Sequence, residues 1–178
     1  CSSDLIAAVF SRRHFDIVVN NAGVITRGPV TDSTDADWTL SLGVNVEAPF
    51  RICRAAIPLM AEAGGGAIVN VSSMAARLGS PGEYIDYAAA KGAIDSMTLG
   101  LAKEVASEGI RVNAVRPGVI HTDIHAAGGE PDRVERVKAS VPMGRGGQAE
   151  EIAEAILWLA SEQASYTSGA LLDVAGGR

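Results

Sequence analysis

The sequence predicts an α/β fold, a doubly wound parallel sheet with helices on both faces, and three observations predict it. Short, continuously apolar, β-branched runs recur along the 178 residues, as strands buried on both faces require. An amphipathic helical stretch separates each run from the next, so right-handed crossovers give a doubly wound layout. Each run also ends on small or polar residues: Asn20-Asn21-Ala22-Gly23, Ser72-Ser73, Pro117-Gly118 and Gly176-Gly177. In such sheets ligands bind beyond the carboxyl ends of the strands, and small residues there let a ligand approach closely.

The elements follow in order. Residues 4–11 have the pattern of the last turns of an amphipathic helix, and 16–23 that of a short buried strand entering a Gly-ended turn. From Thr34 a long helical pattern runs to 62, with Asp35 and Asp37 suited to its start. Pro58 should kink it or shift its hydrogen bonds. The glycines 64–66 stop it, and 67–73 is the second strand. A loop at 77–82 leads to a helix over 83–108 that ends at Gly109. Residues 110–118 form the third strand, 121–141 are polar with a helical patch at 131–139, 149–161 are a strongly amphipathic helix, and 170–177 are the last strand.

The length suits one domain, with no repeat or linker to divide it. A net charge of −6 argues against a nucleic-acid groove or an anionic membrane surface as partner. No run reaches the ~18 apolar residues of a membrane span. Cys1 and Cys53 cannot build a disulfide framework, and Cys53 lies in an apolar helical pattern, so a buried thiol and a cytoplasmic setting are expected.

Chemistry concentrates at Tyr87 and Lys91. Four residues apart on one predicted helix, they lie on the same face. An ammonium beside the phenol favours the phenolate, so Lys91 is expected to lower the Tyr87 pKa towards a catalytic range. Ala88, Ala89 and Ala90 between them leave room for a flat ligand. Ser72 and Ser73 precede Tyr87 by one loop, and Asn45 lies on the preceding helix. Adjacent strand residues face opposite ways, so only one serine can hold a substrate oxygen there. His121 and His125 have no carboxylate or thiol cluster at ligand spacing, and a place at a substrate entrance suits them better than a metal.

Together, NNAG at 20–23, VNVEAPF at 44–50, IVNVSS at 68–73, YAAAK at 87–91 and RPGVIHT at 116–122 resemble the short-chain dehydrogenase/reductase family. RLGSPGEYIDYAAAKGAID at 77–95 and PMGRGGQAEEIA at 142–153 resemble a bacterial, glucose-dehydrogenase-like branch of uncharacterised oxidoreductases. The resemblance implies a Rossmann-like fold binding NAD or NADP, and hydride transfer to or from a small-molecule carbonyl or secondary alcohol. It implies Tyr87 as general acid/base and Lys91 as its partner and holder of the nicotinamide ribose. Ser73 would orient the substrate oxygen, and Asn45 would support a water-linked relay to Lys91. Asn21, Ala22 and Gly23 would line the adenine-ribose side of the cofactor. Pro117, Gly118, Ile120 and Thr122 would hold its nicotinamide end. It further implies a mobile lid at 121–141, hinged at Gly128-Gly129, and a homodimer or homotetramer formed through the helices 34–62 and 83–108.

The family's Gly-rich turn, which seats the pyrophosphate between a strand and a helix N-terminus, has no match in these residues. Gly64–Gly66 ends a helix and Gly144–Gly147 follows no strand. Residues 1–178 are therefore expected to be the C-terminal two-thirds of one NAD(P)-binding domain, without its first strands. Two other readings stand beside the oxidoreductase. One is a catalytically silent, oligomerising fragment or pseudoenzyme. The other is an NAD-dependent epimerase or dehydratase, which also uses a Tyr–Lys pair but usually carries a C-terminal substrate domain.

Overall fold

A computed structural model of the chain describes residues 3–10 and 15–178. Its order is α1 (Ser3–Phe10), β1 (Ile17–Asn20), α2 (Asp35–Leu42), α3 (Ala48–Glu62), β2 (Gly66–Val71), α4 (Ala75–Leu78), α5 (Ile85–Glu104), β3 (Ile110–Pro117), β4 (Ile120–His121), α6 (Ile124–Ala127), α7 (Arg133–Val137), β5 (Gly147–Gln148), α8 (Ala149–Ala160) and β6 (Leu171–Val174). Among the described residues β1, β2, β3 and β6 form one parallel sheet in that order. Cys1 and residue 11 lie outside the described residues.

Because side chains alternate along a strand, each central strand feeds two cores. Val18, Ile68 and Val112 pack with Cys53, Ala56 and Met60 of α3 and with Ala102 of α5. Val69 and Val115 face the other way, against Ile152 and Leu159 of α8. Helices therefore cover both faces, as expected. Register brings Asn20 opposite Asn70, whose side chains bond at 2.8 Å; Asn70 in turn donates to Thr98. This buried polar chain ties β1, β2 and α5 together just below the strand exits.

The helical pattern from Thr34 to 62 is interrupted, but not where Pro58 predicts. Thr34 caps α2 through a reciprocal bond pair with Asp37. A π-turn over Gly43–Glu47 then separates α2 from α3, closed by the Ala48 N–H donating to the Gly43 carbonyl. Helix α3 runs on through Pro58. Pro58 and Arg54 lie on its exposed side, so the missing N–H leaves a carbonyl that water can serve.

The expected helix at 83–108 is α5 followed by a 3₁₀ turn, ending at Gly109 with φ 75°. That left-handed position also passes close to Gly65, where a Cβ would lie 2.5 Å from the Gly109 carbonyl oxygen. The polar stretch 121–141 holds α6 and α7, and β4 pairs with β5 in a two-stranded element the periodicity does not reveal.

Candidate active site

The exit of β2 separates the two serines by direction. Ser72 is 2% exposed, and its hydroxyl donates to the Lys91 carbonyl oxygen at 3.1 Å. Ser73 points the other way; its Oγ accepts the Ala75 N–H at 3.1 Å and shares a hydrogen bond with the Tyr87 hydroxyl. The second serine is thus the one beside the phenol.

Tyr87 and Lys91 lie on the buried face of α5, 7% and 3% exposed, with Lys91 Nζ 5.5 Å from the centre of the Tyr87 ring. The ammonium donates to the Val71 carbonyl oxygen at 2.8 Å, one residue before the serine pair. The Tyr84 ring meets Tyr87 edge-on at 5.6 Å.

Electrostatically, the expected lowering of Tyr87 is overturned by burial. Loss of water pushes the phenol up to about 12, against the opposing Ser73 hydrogen bond. Burial also brings Lys91 down to about 8, opposed by the charge of Asp95. Desolvation is the largest cause of both shifts because both groups are deep in the protein.

Asn45 sits in the π-turn, fully buried. Its amide brackets Val24: Oδ1 accepts the Val24 N–H at 3.2 Å and Nδ2 donates to the Val24 carbonyl at 3.0 Å. Extra residues in a helix turn re-aim one side chain, and π-turns often do so at functional sites. Here the result joins the β1 exit to the site. A Cβ at Gly23 would lie 3.1 Å from Asn45 Oδ1 and 3.7 Å from Lys91 Nζ. Asn45, Ser73, Tyr87, Lys91 and Gly23 therefore converge on one place.

The other predicted residues spread around it. Asn21 and Ala22 are exposed at the end of β1. Pro117 accepts the Met74 N–H at 3.0 Å, tying the β3 exit to the residue after Ser73. Gly118 has a packing reason to be glycine: a Cβ would lie 2.8 Å from Ala175 Cα. The Ile120 side chain joins the core under α8 while Thr122 is exposed. Gly23 at the β1 exit and the Val71 carbonyl at the β2 exit, both beside the buried Lys91 ammonium, fit the nicotinamide-ribose half of a dinucleotide.

Several features escape the sequence. The 128–140 stretch is held against the start of α5 by Arg133, which grips Glu83 at 2.6 and 2.9 Å, stacks over Tyr84 at 4.9 Å and also reaches Glu130. Arg136 adds a third bond to Glu83, whose carboxyl is pulled down to about 2, chiefly by the Arg133 hydrogen bond. The partners are about 50 positions apart in sequence, beyond any local pattern. A cavity of about 500 Å³ opens elsewhere, among Ile120, Val141, Met143, Glu151, Val174 and Gly176, and neither Tyr87 nor Lys91 lines it. His125 Nε2 lies 2.9 Å from the Ile120 carbonyl oxygen, and His121 is exposed. Among the described residues no group of three or more His, Cys, Asp or Glu side chains could hold a metal. None of the helices described is long and apolar enough to cross a membrane.

Residues 3–178 match a family model described as enoyl-(acyl carrier protein) reductase. The chain is 58% identical over 165 residues to the uncharacterised oxidoreductase YgfF of Escherichia coli, covering 90% of this chain and 67% of that protein. It is 43% identical over 162 residues to the 3-oxoacyl-[acyl-carrier-protein] reductase FabG of Chlamydia muridarum, covering 91% and 64%. A gluconate 5-dehydrogenase from Burkholderia cenocepacia, solved with NADP and tartrate, superposes with a TM-score of 0.91 at 30% identity, covering 99% of this chain and 71% of that one. The chain thus spans about two thirds of the length of the curated relatives it matches.

Proposed function

Because the chain belongs to the short-chain dehydrogenase/reductase family, we propose that it is the catalytic part of an NAD(P)-dependent oxidoreductase acting on a small-molecule carbonyl or secondary alcohol. The observation that carries this reading is the convergence of Tyr87, its Ser73 bond, the Lys91 ammonium and Asn45 beside Gly23. The NADP in the solved gluconate 5-dehydrogenase supports the cofactor. When bound, NAD(P)H supplies the hydride that adds to the substrate carbon.

Asn21, Ala22 and Gly23 would line the cofactor on one side, and Pro117, Gly118, Ile120 and Thr122 at the nicotinamide end. Ser73 and Tyr87 both carry hydroxyl hydrogens that can point at the oxygen of a substrate carbonyl. As charge builds on that oxygen the two donors stabilise it, and Tyr87 passes its proton across. With a pKa near 12, Tyr87 is fully protonated at neutral pH, the form a carbonyl reductase needs. The Lys91 cation offsets the phenolate that remains and stands where ribose hydroxyls would meet it. Asn45 holds the β1 exit at that distance. In the reverse direction Tyr87 must lose its proton, so alcohol oxidation gains with rising pH.

The intact set favours an enzyme over a silent fragment. The named activities of the similar proteins, a 3-oxoacyl reductase and a gluconate 5-dehydrogenase, favour hydride exchange with substrate over epimerisation. Assembly as a homodimer or homotetramer is supported by the exposed Leu40, Phe50 and Leu99 along the helices 34–62 and 83–108. The test is Tyr87→Phe. Turnover, followed by nicotinamide absorbance over ketones, sugars and keto-esters, should fall by roughly 10²–10⁴-fold while cofactor binding persists. Activity at the unmutated level would overturn the assignment.

A further inference from the structure

Lys91 needs its charge, yet it sits in one of the driest places in the chain, 3% exposed and held by a neutral carbonyl. The groups around it can be taken element by element. The β1 exit presents the Gly23 backbone, the π-turn presents the Asn45 amide, and β2 presents the Val71 carbonyl, all neutral. Its own helix presents the neutral Tyr87 phenol on one side and Asp95 on the other. Asp95 lies four residues on from Lys91, so the two share a face of α5.

Asp95 is itself unusual. It is 9% exposed, and Arg116 of β3 donates to its Oδ2 from Nε at 2.9 Å, with Nη2 in an ion pair to the same oxygen, also at 2.9 Å. Its Oδ1 is buried and takes no hydrogen bond. A carboxylate with both oxygens neutralised would project little field. This one is bound on one oxygen only, leaving charge on the other in a low-dielectric place. Arg116 is also shared, reaching Asp173 of β6 at 3.3 Å, and Asp173 in turn holds Arg77 of α4. The guanidinium is therefore divided between two carboxylates, and Asp95 keeps part of its charge. Arg116 directly precedes Pro117-Gly118, so the same chain of ion pairs holds a strand exit of the site.

We infer that Asp95 is a positioning residue for Lys91: its half-satisfied carboxylate, metered by Arg116, keeps the buried ammonium charged. The assignment rests on the catalytic reading of Lys91 given above. It yields an unusual signature, because the two members of one ion pair act on Lys91 with opposite sign. Removing Asp95 takes away the field that favours the cation. Removing Arg116 unshields Asp95 and strengthens that field. The electrostatic direction agrees, since Asp95 opposes the burial that brings Lys91 down. A scaffold contact would behave otherwise: both losses would loosen the same place and move Lys91 the same way.

The chain has three lysines, Lys91, Lys103 and Lys138, so ¹³Cε-lysine NMR resolves each side chain and needs no cofactor or turnover. Asp95→Asn, which keeps the shape, should lower the Lys91 pKa by about half a unit or more. Arg116→Gln should raise it by a similar amount, and Arg116→Lys should leave it near the unmutated value. Amide spectra verify folding, and if Arg116→Gln unfolds, the Asp95→Asn result decides alone. A Lys91 that moves the same way in both variants, or moves in neither, overturns the inference. In turnover, the alkaline limb of kcat/KM should shift with Lys91, down in Asp95→Asn and up in Arg116→Gln. Lysine shifts of opposite sign in a protein without Tyr87-dependent turnover would refute the oxidoreductase reading and sustain this one. Tyr87-dependent turnover with an unmoved Lys91 would do the reverse.

Discussion

Gly118→Ala adds a single methyl group where the exit of β3 crosses the end of β6. Its Cβ would lie 2.8 Å from Ala175 Cα, 2.9 Å from Ala175 Cβ and 3.2 Å from the Ala175 carbonyl oxygen. Two of the three are backbone atoms, so no rotamer change relieves the contact, and the strands must part by about 0.6 Å to reach an ordinary 3.4 Å. That movement strains the Gly118 N–H bond to the Val174 carbonyl, 3.1 Å long, and the Pro117–Met74 bond next to it. Overpacking of this kind costs about 1–3 kcal/mol, and a clash against backbone belongs in the upper half of that range. In a domain of this size about 2–3 kcal/mol lowers Tm by roughly 5–10 °C. The assay is urea unfolding with an unchanged m-value, run beside Gly100→Ala, a helical glycine with nothing within 4 Å of its added Cβ. The control should gain about 0.5–1 kcal/mol. A Gly118→Ala midpoint equal to the unmutated one would refute the reasoning, since the two exits would then be separable at no cost.

Two further predictions concern the serine pair and the 128–140 stretch. Ser73→Ala should reduce turnover roughly 10²-fold with little loss of stability, whereas Ser72→Ala should leave turnover largely intact and destabilise by about 1 kcal/mol, because a buried Lys91 carbonyl loses its donor; kinetics and unfolding on both variants separate the roles, and equal kinetic losses would contradict the assignment. The Glu83 carboxyl is depressed in the fold to about 2, so its ion pairs stabilise above the ordinary carboxylate range and are lost only as pH falls towards about 2. Hydrogen exchange in α7 should therefore stay protected at pH 4. Glu83→Gln should loosen it roughly three- to tenfold at neutral pH, as a part-exposed pair worth on the order of 1 kcal/mol implies. Protection already lost at pH 4, or unchanged in the variant, would refute the tether.

What the sequence determined by itself was local. Runs such as 67–71 and 110–115 are rich in β-branched and apolar residues, broken only by Asn70, Arg111 and Asn113, so their strand state is legible without coordinates. The four-residue spacing of Tyr87 and Lys91 fixes a shared helix face, and Thr34 with Asp37 marks a helix start. Only the tertiary structure decided the rest. Pro58 reads as a break, but its exposed side makes it harmless, while the real interruption at Gly43–Glu47 has no residue that announces it. Ser72 and Ser73 are equivalent as letters, and the register of β2 against β3 sets which one meets Tyr87. The pairs Arg133–Glu83 and Arg116–Asp95 join positions that no short window contains. The direction of the Tyr87 shift reversed for the same reason. Spacing reveals which charge stands near a phenol, but the water removed around it depends on every element packed against it, and in this chain that loss is the largest influence on Tyr87.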